Sequence, residues 1–541
     1  MSVRSVTAGP FDDQRPGTSG LRKSTRQFQT PHYLATFIQA VFDTCPIDGE
    51  IVLGGDGRFF TEPAAQEILR IAAANGAKRA VVGQGGLLST PAVSHLIRSR
   101  GAWGGIVLSA SHNPGGPDGD FGVKVNGANG APAPEDVTEA IFARTRQIAA
   151  YEIFDGANLD LSQRGTQHLG PMTVEVIDPA ADYADLMERL FDFDRISQFL
   201  QAPAGGLLFD AMHAVTGPYA SEIFCRRLGA PESAILRGAP LPDFGGGHPD
   251  PSLANAKALA ARMNAGDAPA IGAASDGDGD RHLVMGPKFP VSASDSLAIL
   301  LANAEHVPGY RGRIAGVARS MPTSRAVDAV AEALGLPCYE TPTGWKYFGA
   351  LLDSGRITLC GEESAGAGSD HVREKDGVWA VLYWLNILAA RGLSVEEVVT
   401  RHWARFGRVA TQRLDWEGLP SDRAADAIAS LRHRLASLSG TTVAGRAIEG
   451  ADNFAYEDPV TGARSEGQGV RLFLSDGGRV VFRLSGTGTQ GATLRVYLDQ
   501  LDAPPSQPAS VTTQGLEDVA QAVLGGIDPD LLAQSTGLHR T

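Results

Sequence analysis

A serine on a tight loop, three aspartates at alternate positions and a run of hydroxyl and glycine residues are where this 541-residue sequence could do chemistry. The first is Leu108-Ser109-Ala110-Ser111-His112-Asn113-Pro114-Gly115-Gly116, directly after the β-branched pair Ile106-Val107. Asn-Pro and Gly-Gly are turn formers, so a strand delivers Ser111 onto a closed loop where its hydroxyl could carry a covalent phosphate. The second is Ser275-Asp276-Gly277-Asp278-Gly279-Asp280-Arg281. Carboxylates at i, i+2 and i+4 repel unless a cation joins them, and the intervening glycines let the backbone curl until all three converge. A solvated acidic turn is the plain alternative. An EF-hand does not fit, because its glycine at the sixth position and glutamate at the twelfth are Arg281 and Pro287 here. Mg²⁺ suits the loop better than Ca²⁺, since it takes few protein carboxylates and completes its shell with phosphate or water.

Three further loops carry polar groups that could meet a ligand. Gly361-Glu362-Glu363-Ser364-Ala365-Gly366 sets a carboxylate and a hydroxyl two residues apart, which could hold neighbouring hydroxyls of a polyol or cap a helix. Thr341-Pro342-Thr343-Gly344-Trp345-Lys346 is a strand-to-helix corner whose Trp345 belongs to the core. In Arg483-Leu484-Ser485-Gly486-Thr487-Gly488-Thr489-Gln490-Gly491, alternating hydroxyls and glycines expose successive N–H groups, and Arg483 and Arg495 add positive charge. That describes a phosphate cradle or, more plainly, a polar hairpin end. No Gly-Lys-Ser/Thr follows, so it is not a Walker A loop.

Strands and helices must position these loops, and the hydrophobic pattern supplies them in alternation. Thr30-Pro31 reads as an N-cap and first helical residue, with Leu34, Phe37, Ile38, Val41 and Phe42 at helical spacing. Ile51–Leu53 and Ala80–Val82 read as buried strands around a helix from Glu62 to Asn75 stopped by Gly76, and Thr90-Pro91 opens another helix. The same grammar returns with the strands Leu207–Phe209 and Ala270–Ala274. It returns once more with Ile314–Ala318, a helix from Pro322 to Leu334 and the strand Ile357–Leu359. Beyond about residue 408 it changes to a hairpin, Val470–Leu474 and Val480–Leu484 around Asp476-Gly477, with helices near 422–437 and 515–524. The expected fold is α/β: three related units with mixed central sheets, at 1–185, 186–293 and 294–407, and a smaller α+β unit at 408–541.

Composition narrows the function classes. With 43% hydrophobic and 20% charged residues the chain is of the globular type, and its net charge of −14 disfavours nucleic-acid and membrane-surface binding. No stretch approaches the roughly 20 apolar residues of a membrane span, and the first residues lack an apolar signal core, so a cytoplasmic home is expected. Four scattered cysteines, without a CxxC pair, read as reduced and mostly buried thiols.

Taken together, the ordered motifs resemble the phosphoglucomutases of the α-D-phosphohexomutase superfamily over nearly the whole chain. They are Gly17-Thr18-Ser19-Gly20-Leu21-Arg22-Lys23, the serine loop, Asp276–Arg281, Thr343–Lys346, Glu362-Glu363-Ser364 and Ser485–Gly488. The resemblance implies four domains around a central active-site cleft and reversible interconversion of glucose 1-phosphate and glucose 6-phosphate. Ser111 would be the phosphoserine and a Mg²⁺ ligand with Asp276, Asp278 and Asp280, and glucose 1,6-bisphosphate would be the bound intermediate and primer. Arg22, Lys23, Arg281 and Lys124 would balance charge. Glu362 and Ser364 would hold sugar hydroxyls, with Thr343, Gly344 and Lys375 at the remaining substrate positions. Ser485, Gly486, Thr487, Gly488 and Thr489 would take the sugar phosphate with Arg483 and Arg495. Lys124 is the first candidate for general base, Lys375 for the complementary acid/base role, with His112 in reserve. Such an enzyme works on small sugar phosphates and is expected to be a monomer. Ser109, the Gly-Thr-Gln of the phosphate loop and Ala365 depart from the commonest pattern, which leaves mannose phosphates open as an alternative substrate class. A noncatalytic relative would have lost a charged or nucleophilic residue, and every expected one is present.

Overall fold

The computed structural model describes residues 2–17, 19–485 and 491–541. Three of its sheets repeat one run of strands: three parallel, then one antiparallel at the side. In the first unit the run is Ala77–Leu87, Gly49–Gly55, Gly104–Leu108 and Asp120–Asn126, extended to seven strands by Leu21–Ser24, Met172–Ile177 and Gly165–Leu169. The second runs Ile235–Leu236, Leu207–Asp210, Ile271–Ser275 and His282–Gly286, with Phe289–Pro290 at the edge. In the third it is Cys338–Thr341, Val317–Ser320, Leu359–Glu362 and Gly366–Ser369. Each time, the connection between the third and fourth strands carries chemistry: the serine loop, the aspartate loop and the Glu362–Ser364 loop. Equivalent topology therefore brings three different loops to equivalent sheet ends, the usual place for ligands in α/β sheets.

The first three units share one hydrophobic core. Its centre is the helix Gly377–Arg391, whose Trp379, Tyr383 and Trp384 are wholly buried among side chains from all three. Asp376 caps that helix by accepting from the Trp379 N–H at 3.0 Å, and it also accepts from Tyr183 Oη at 2.6 Å, a link to the region between the first and second sheets. The fourth unit has its own core under a seven-stranded sheet in which Val470–Leu474 pairs antiparallel with Gly478–Ser485 across the expected Asp476-Gly477 turn. Arginines join it to the third unit: Arg325 pairs with Asp499, Arg471 reaches Glu340, and Arg479 donates to the Met321 and Thr323 carbonyls.

Several expected boundaries shift for visible reasons. Thr30 does not cap the first long helix. It closes a short preceding one, Thr25–Phe28, by donating its N–H to the Gln27 carbonyl, and the long helix starts at Tyr33 after a left-handed His32. The helix expected from Pro322 begins at Ala326, because Arg479 Nη1 and Nη2 take the Met321 and Thr323 carbonyls, each at 2.9 Å. The neighbouring strands lie two or three residues later than their apolar runs, as Val317–Ser320 and Leu359–Glu362. All four cysteines are free, but only Cys225 and Cys360 are buried, and Cys338 is exposed. No single helix among the described residues is long and apolar enough to cross a membrane.

Candidate active site

Ser111 lies at the meeting of two sheets. Its hydroxyl donates to Asp276 Oδ2 at 2.9 Å and sits 3.4 Å from His112 Nδ1, so the serine loop and the first aspartate are in direct contact across 165 positions of sequence. The approach requires glycine at 277, where a Cβ would stand 2.3 Å from the Ser111 carbonyl oxygen. Gly277→Ala must therefore push the two loops apart. We expect kcat to fall about tenfold to a hundredfold in a folded enzyme, from the geometric sensitivity of such transfers, checked by steady-state kinetics beside circular dichroism.

Asp276, Asp278 and Asp280 are buried, and one carboxylate oxygen from each lies within 4.8 Å of the other two. Burial, reinforced by Asp280 and Asp278, drives the pKa of Asp276 far above the carboxylate range. Burial also opposes ionisation of Asp278, but Lys124, Thr90 and Arg22 outweigh it and hold that group well below its ordinary value. Asp278 Oδ1 and Asp280 Oδ1 have no hydrogen-bond partner. Buried, mutually repelling carboxylates with unused lone pairs fit a hard divalent cation, which would relieve the repulsion and fill the empty acceptor positions.

Cations surround the triad. Lys124 pairs with Asp278 and lies 3.8 Å from Asp280; burial works against its charge, yet Asp278, Asp280 and Glu374 raise its pKa overall. Arg281 Nε stands 3.9 Å from Asp276 and 3.8 Å from Asp280. Lys375 Nζ, delivered from the third unit, is 3.6 Å from Asp280 and 3.5 Å from Glu362, and so spans the aspartate loop and the Glu362–Ser364 loop. Arg22 is close enough to feel Asp278 and Asp280. Lys23, next in the same strand, pairs instead with Asp13 at 3.6 Å, as the two-residue alternation of a strand dictates. Burial lowers the pKa of His112, and Arg281, Arg22 and His248 add to the effect, so its ring is neutral at pH 7.

Glu362 is fixed by the Gly344 N–H, which donates to its Oε1 at 2.9 Å, and this joins the Thr343-Gly344 corner to the Glu362–Ser364 loop. Ser364 is half-buried in the same turn, and the Thr343 hydroxyl is a buried group without a partner. Trp345 packs in the core as expected. In the fourth unit Arg483 and Arg495 are directly opposite in neighbouring strands; Arg483 Nε donates to the Gln468 carbonyl at 3.2 Å, and Arg495 stands 3.8 Å from Asp415. Gly486, Thr487, Gly488 and Thr489 lie outside the described residues, as does the side chain of Ser485.

Sequence reasoning missed four contributors. Thr90, seen there only as a helix opener, donates its hydroxyl to Asp278 Oδ2 at 2.6 Å and its N–H to the Asp278 carbonyl at 3.0 Å. Glu374 is buried beside Lys124 and accepts from Asn126 Nδ2 at 2.9 Å; burial pushes its pKa up to about 7 against the pull of Lys124. Glu363 accepts from Ser320 Oγ at 3.0 Å and from Tyr497 Oη at 3.3 Å, which ties the Glu362–Ser364 loop to the fourth unit. Arg413 enters the same arginine group, 3.1 Å from Asp415. A threonine at a helix start and an acid before a lysine carry no signal until the partner loop is in place.

A serine hydroxyl against a buried acidic triad able to hold a cation, ringed by lysines and arginines and set between α/β units with an arginine-bearing fourth unit, is an arrangement suited to phosphoryl-transfer enzymes. Residues 13–152, 181–288 and 293–406 match the family models of the phosphoglucomutase/phosphomannomutase α/β/α domains I, II and III, and residues 408–532 match that of the phosphoglucomutase-1 C-terminal domain. The chain is 52% identical to a phosphoglucomutase of Rhizobium radiobacter, with 97% of each chain covered, and 46% identical to a cytoplasmic phosphoglucomutase of Bromus inermis, again with 97% of each covered. Chloroplastic phosphoglucomutases, such as that of Arabidopsis thaliana at 48%, are similar as well. The open form of the phosphoglucomutase parafusin from Paramecium superposes with a TM-score of 0.90 at 40% identity, covering 99% of each chain. The chain belongs to the phosphoglucomutase family, and its activity is that of an isomerase.

Proposed function

We propose that the chain interconverts α-D-glucose 1-phosphate and glucose 6-phosphate through a phosphorylated Ser111, with glucose 1,6-bisphosphate as bound intermediate and primer. The observation that carries this reading is the contact of the Ser111 hydroxyl with the aspartate triad at 2.9 Å inside a ring of lysines and arginines. The free hydroxyl of the sugar phosphate attacks phosphorus, its new O–P bond forms as the Ser111 Oγ–P bond breaks, and the proton released from that hydroxyl is balanced by one taken up at Oγ. The bisphosphate then reorients and returns its other phosphate to Ser111. Mg²⁺, held by Asp276, Asp278, Asp280 and the phosphorylated Ser111, would neutralise charge on the transferring group.

Lys124, expected as the base, is kept protonated by Asp278, Asp280 and Glu374, and Lys375 by Asp280 and Glu362, so we assign both to proton donation and charge balance and give acceptance of the hydroxyl proton to the neutral ring of His112, 3.4 Å from Ser111 Oγ. Glu362, Ser364, Thr343 and Gly344 orient the sugar, and Arg483 and Arg495, with the loop from Ser485 to Thr489, take the phosphate that is not being transferred. Arg22 and Arg281 supply the remaining positive charge. We place the domain boundaries where the sequence suggests them, at 1–185, 186–293, 294–407 and 408–541. A cytoplasmic monomer acting on small sugar phosphates is part of the same proposal, in keeping with four free cysteines.

The test is glucose 6-phosphate formation from glucose 1-phosphate with Mg²⁺, with and without a trace of the bisphosphate, beside mannose 1-phosphate. We expect primer-dependent turnover that favours glucose. Equal or faster turnover of mannose would move the substrate class, and release of inorganic phosphate as the main product would make the enzyme a phosphatase.

A further inference from the structure

We propose that Asp56, Arg58 and Ser109 form a positioning unit that holds the backbone of Ser111 in its reactive conformation; the inference rests on the phosphoserine reading above. Ser111 has a φ of 52°, in the left-handed region that residues with a β-carbon occupy only where their surroundings hold them. One buried ion pair does the holding. Arg58 Nε donates to Asp56 Oδ1 at 3.0 Å and Oδ2 at 2.9 Å, with both side chains fully shielded from solvent.

Two branches run from this pair to the nucleophile. Arg58 Nη2 donates to the Ser111 carbonyl oxygen at 2.7 Å. On the other side Ser109 Oγ donates to Asp56 Oδ2 at 2.6 Å and accepts the Ser111 N–H at 2.7 Å. Both main-chain polar groups of Ser111 thus end on the same pair, while its side chain stays free for Asp276. A third branch, Arg58 Nη1 to the Asp120 carbonyl at 2.7 Å, ties down the far end of the loop, and the guanidinium lies 5.3 Å from the Phe244 ring centroid of the second unit.

A buried ion pair is a poor device for stability, because desolvation cancels much of its attraction and well-packed apolar residues do as well. As a neutral pair it adds little field at the transferring phosphoryl group. Its contribution is direction: with N–H and C=O both fixed, the Cα–Cβ bond has one orientation, and Oγ points at the metal triad. Phosphoryl transfer loses on the order of a hundredfold for displacements near 1 Å, so a loosened loop is slow even when folded and phosphorylated.

Ser109→Ala removes only the hydroxyl relay. We expect kcat to fall about tenfold to a hundredfold with KM for glucose 1-phosphate changed by less than about twofold, Ser111 still phosphorylated in the intact-mass spectrum, and Ser109→Thr recovering most of the loss. Arg58→Lys, which keeps the charge but not the fork, should show the same split between kcat and KM. A lowered melting temperature with wild-type kcat per folded molecule in both Ser109→Ala and Arg58→Lys would overturn the proposal. Failure of the phosphoserine reading itself looks different: wild-type enzyme treated with glucose 1,6-bisphosphate would carry no phosphate on Ser111.

Discussion

Ser111→Ala should abolish turnover, by at least about 10⁴-fold, while leaving the enzyme folded and able to bind sugar phosphate. The size follows from the chemistry: without Oγ there is no acceptor for the phosphoryl group, and neither neighbouring base nor cation can replace it. Folding is spared because the groups that hold this residue, Arg58 Nη2 and Ser109 Oγ, grip its carbonyl and its N–H rather than its side chain. Binding is spared because the proposed sugar and phosphate contacts come from the third and fourth units. Three measurements check the expectation: the coupled assay, the phosphate on the Ser111 peptide after treatment with bisphosphate, and calorimetric titration with glucose 6-phosphate. Residual activity above the stated limit, with phosphate found on another residue, would move the nucleophile elsewhere.

Removing the divalent ion, or replacing Asp278 by Asn, has the second largest expected effect. On the phosphoserine reading, three ionised carboxylates and a phosphate of about −2 charge outweigh Lys124, Arg281, Lys375 and Arg22 even before a sugar phosphate enters, and a divalent ion would reverse that balance at the transferring group. Asp278→Asn keeps the shape of the loop but removes a ligand charge, and it replaces the partner that Lys124 and Thr90 share. We expect activity to fall about 10²- to 10³-fold in the variant, and to vanish in wild type after chelation and return with Mg²⁺. A readout free of turnover separates metal binding from other damage. An ion that binds only the native state at a hundred times its Kd adds about 2.7 kcal/mol of stability, so Mg²⁺ should raise the melting temperature of wild type and leave Asp278→Asn unmoved. The metal-free chain should stay folded, because Lys124 already faces Asp278 and Asp280. Full activity after exhaustive chelation would rule out the triad as an essential metal centre.

The elements that carry the loops were legible in the sequence wherever a short apolar run ended in glycine, proline or a polar cluster. The strand before Ser111, the strand before Asp276 and the hairpin at Asp476-Gly477 are of this kind, and their residues form strands and a turn in the structure. Boundaries failed where a distant side chain intervened, as when Arg479 of the fourth unit takes the carbonyls that would have started the helix after Pro322. Lys23 looked equivalent to Arg22 because adjacent cations are alike in a string of letters. A strand sends them to opposite faces, and Lys23 meets Asp13.

What the sequence determined by itself is the chemical content of each loop: a serine between turn formers, carboxylates spaced by glycine, a carboxylate and hydroxyl two apart. Such content is local, because a tight turn, a left-handed glycine or converging carboxylates depend on a handful of consecutive residues. What only the tertiary structure decided is which groups meet and which hold them still. Thr90 and Lys124 meet Asp278 because the first and second sheets pack with their loop-bearing ends together, and Lys375 reaches Asp280 because the segment before the Gly377–Arg391 helix is held against the aspartate loop, the Gly377 N–H donating to the Gly279 carbonyl at 2.9 Å. Asp56 and Arg58, silent as a dipeptide pattern, acquire their part only when the strand Gly49–Gly55 lies beside Gly104–Leu108 and sets their ion pair beneath Ser111. Packing of buried sheets over long sequence separations creates these contacts, and no local propensity encodes them.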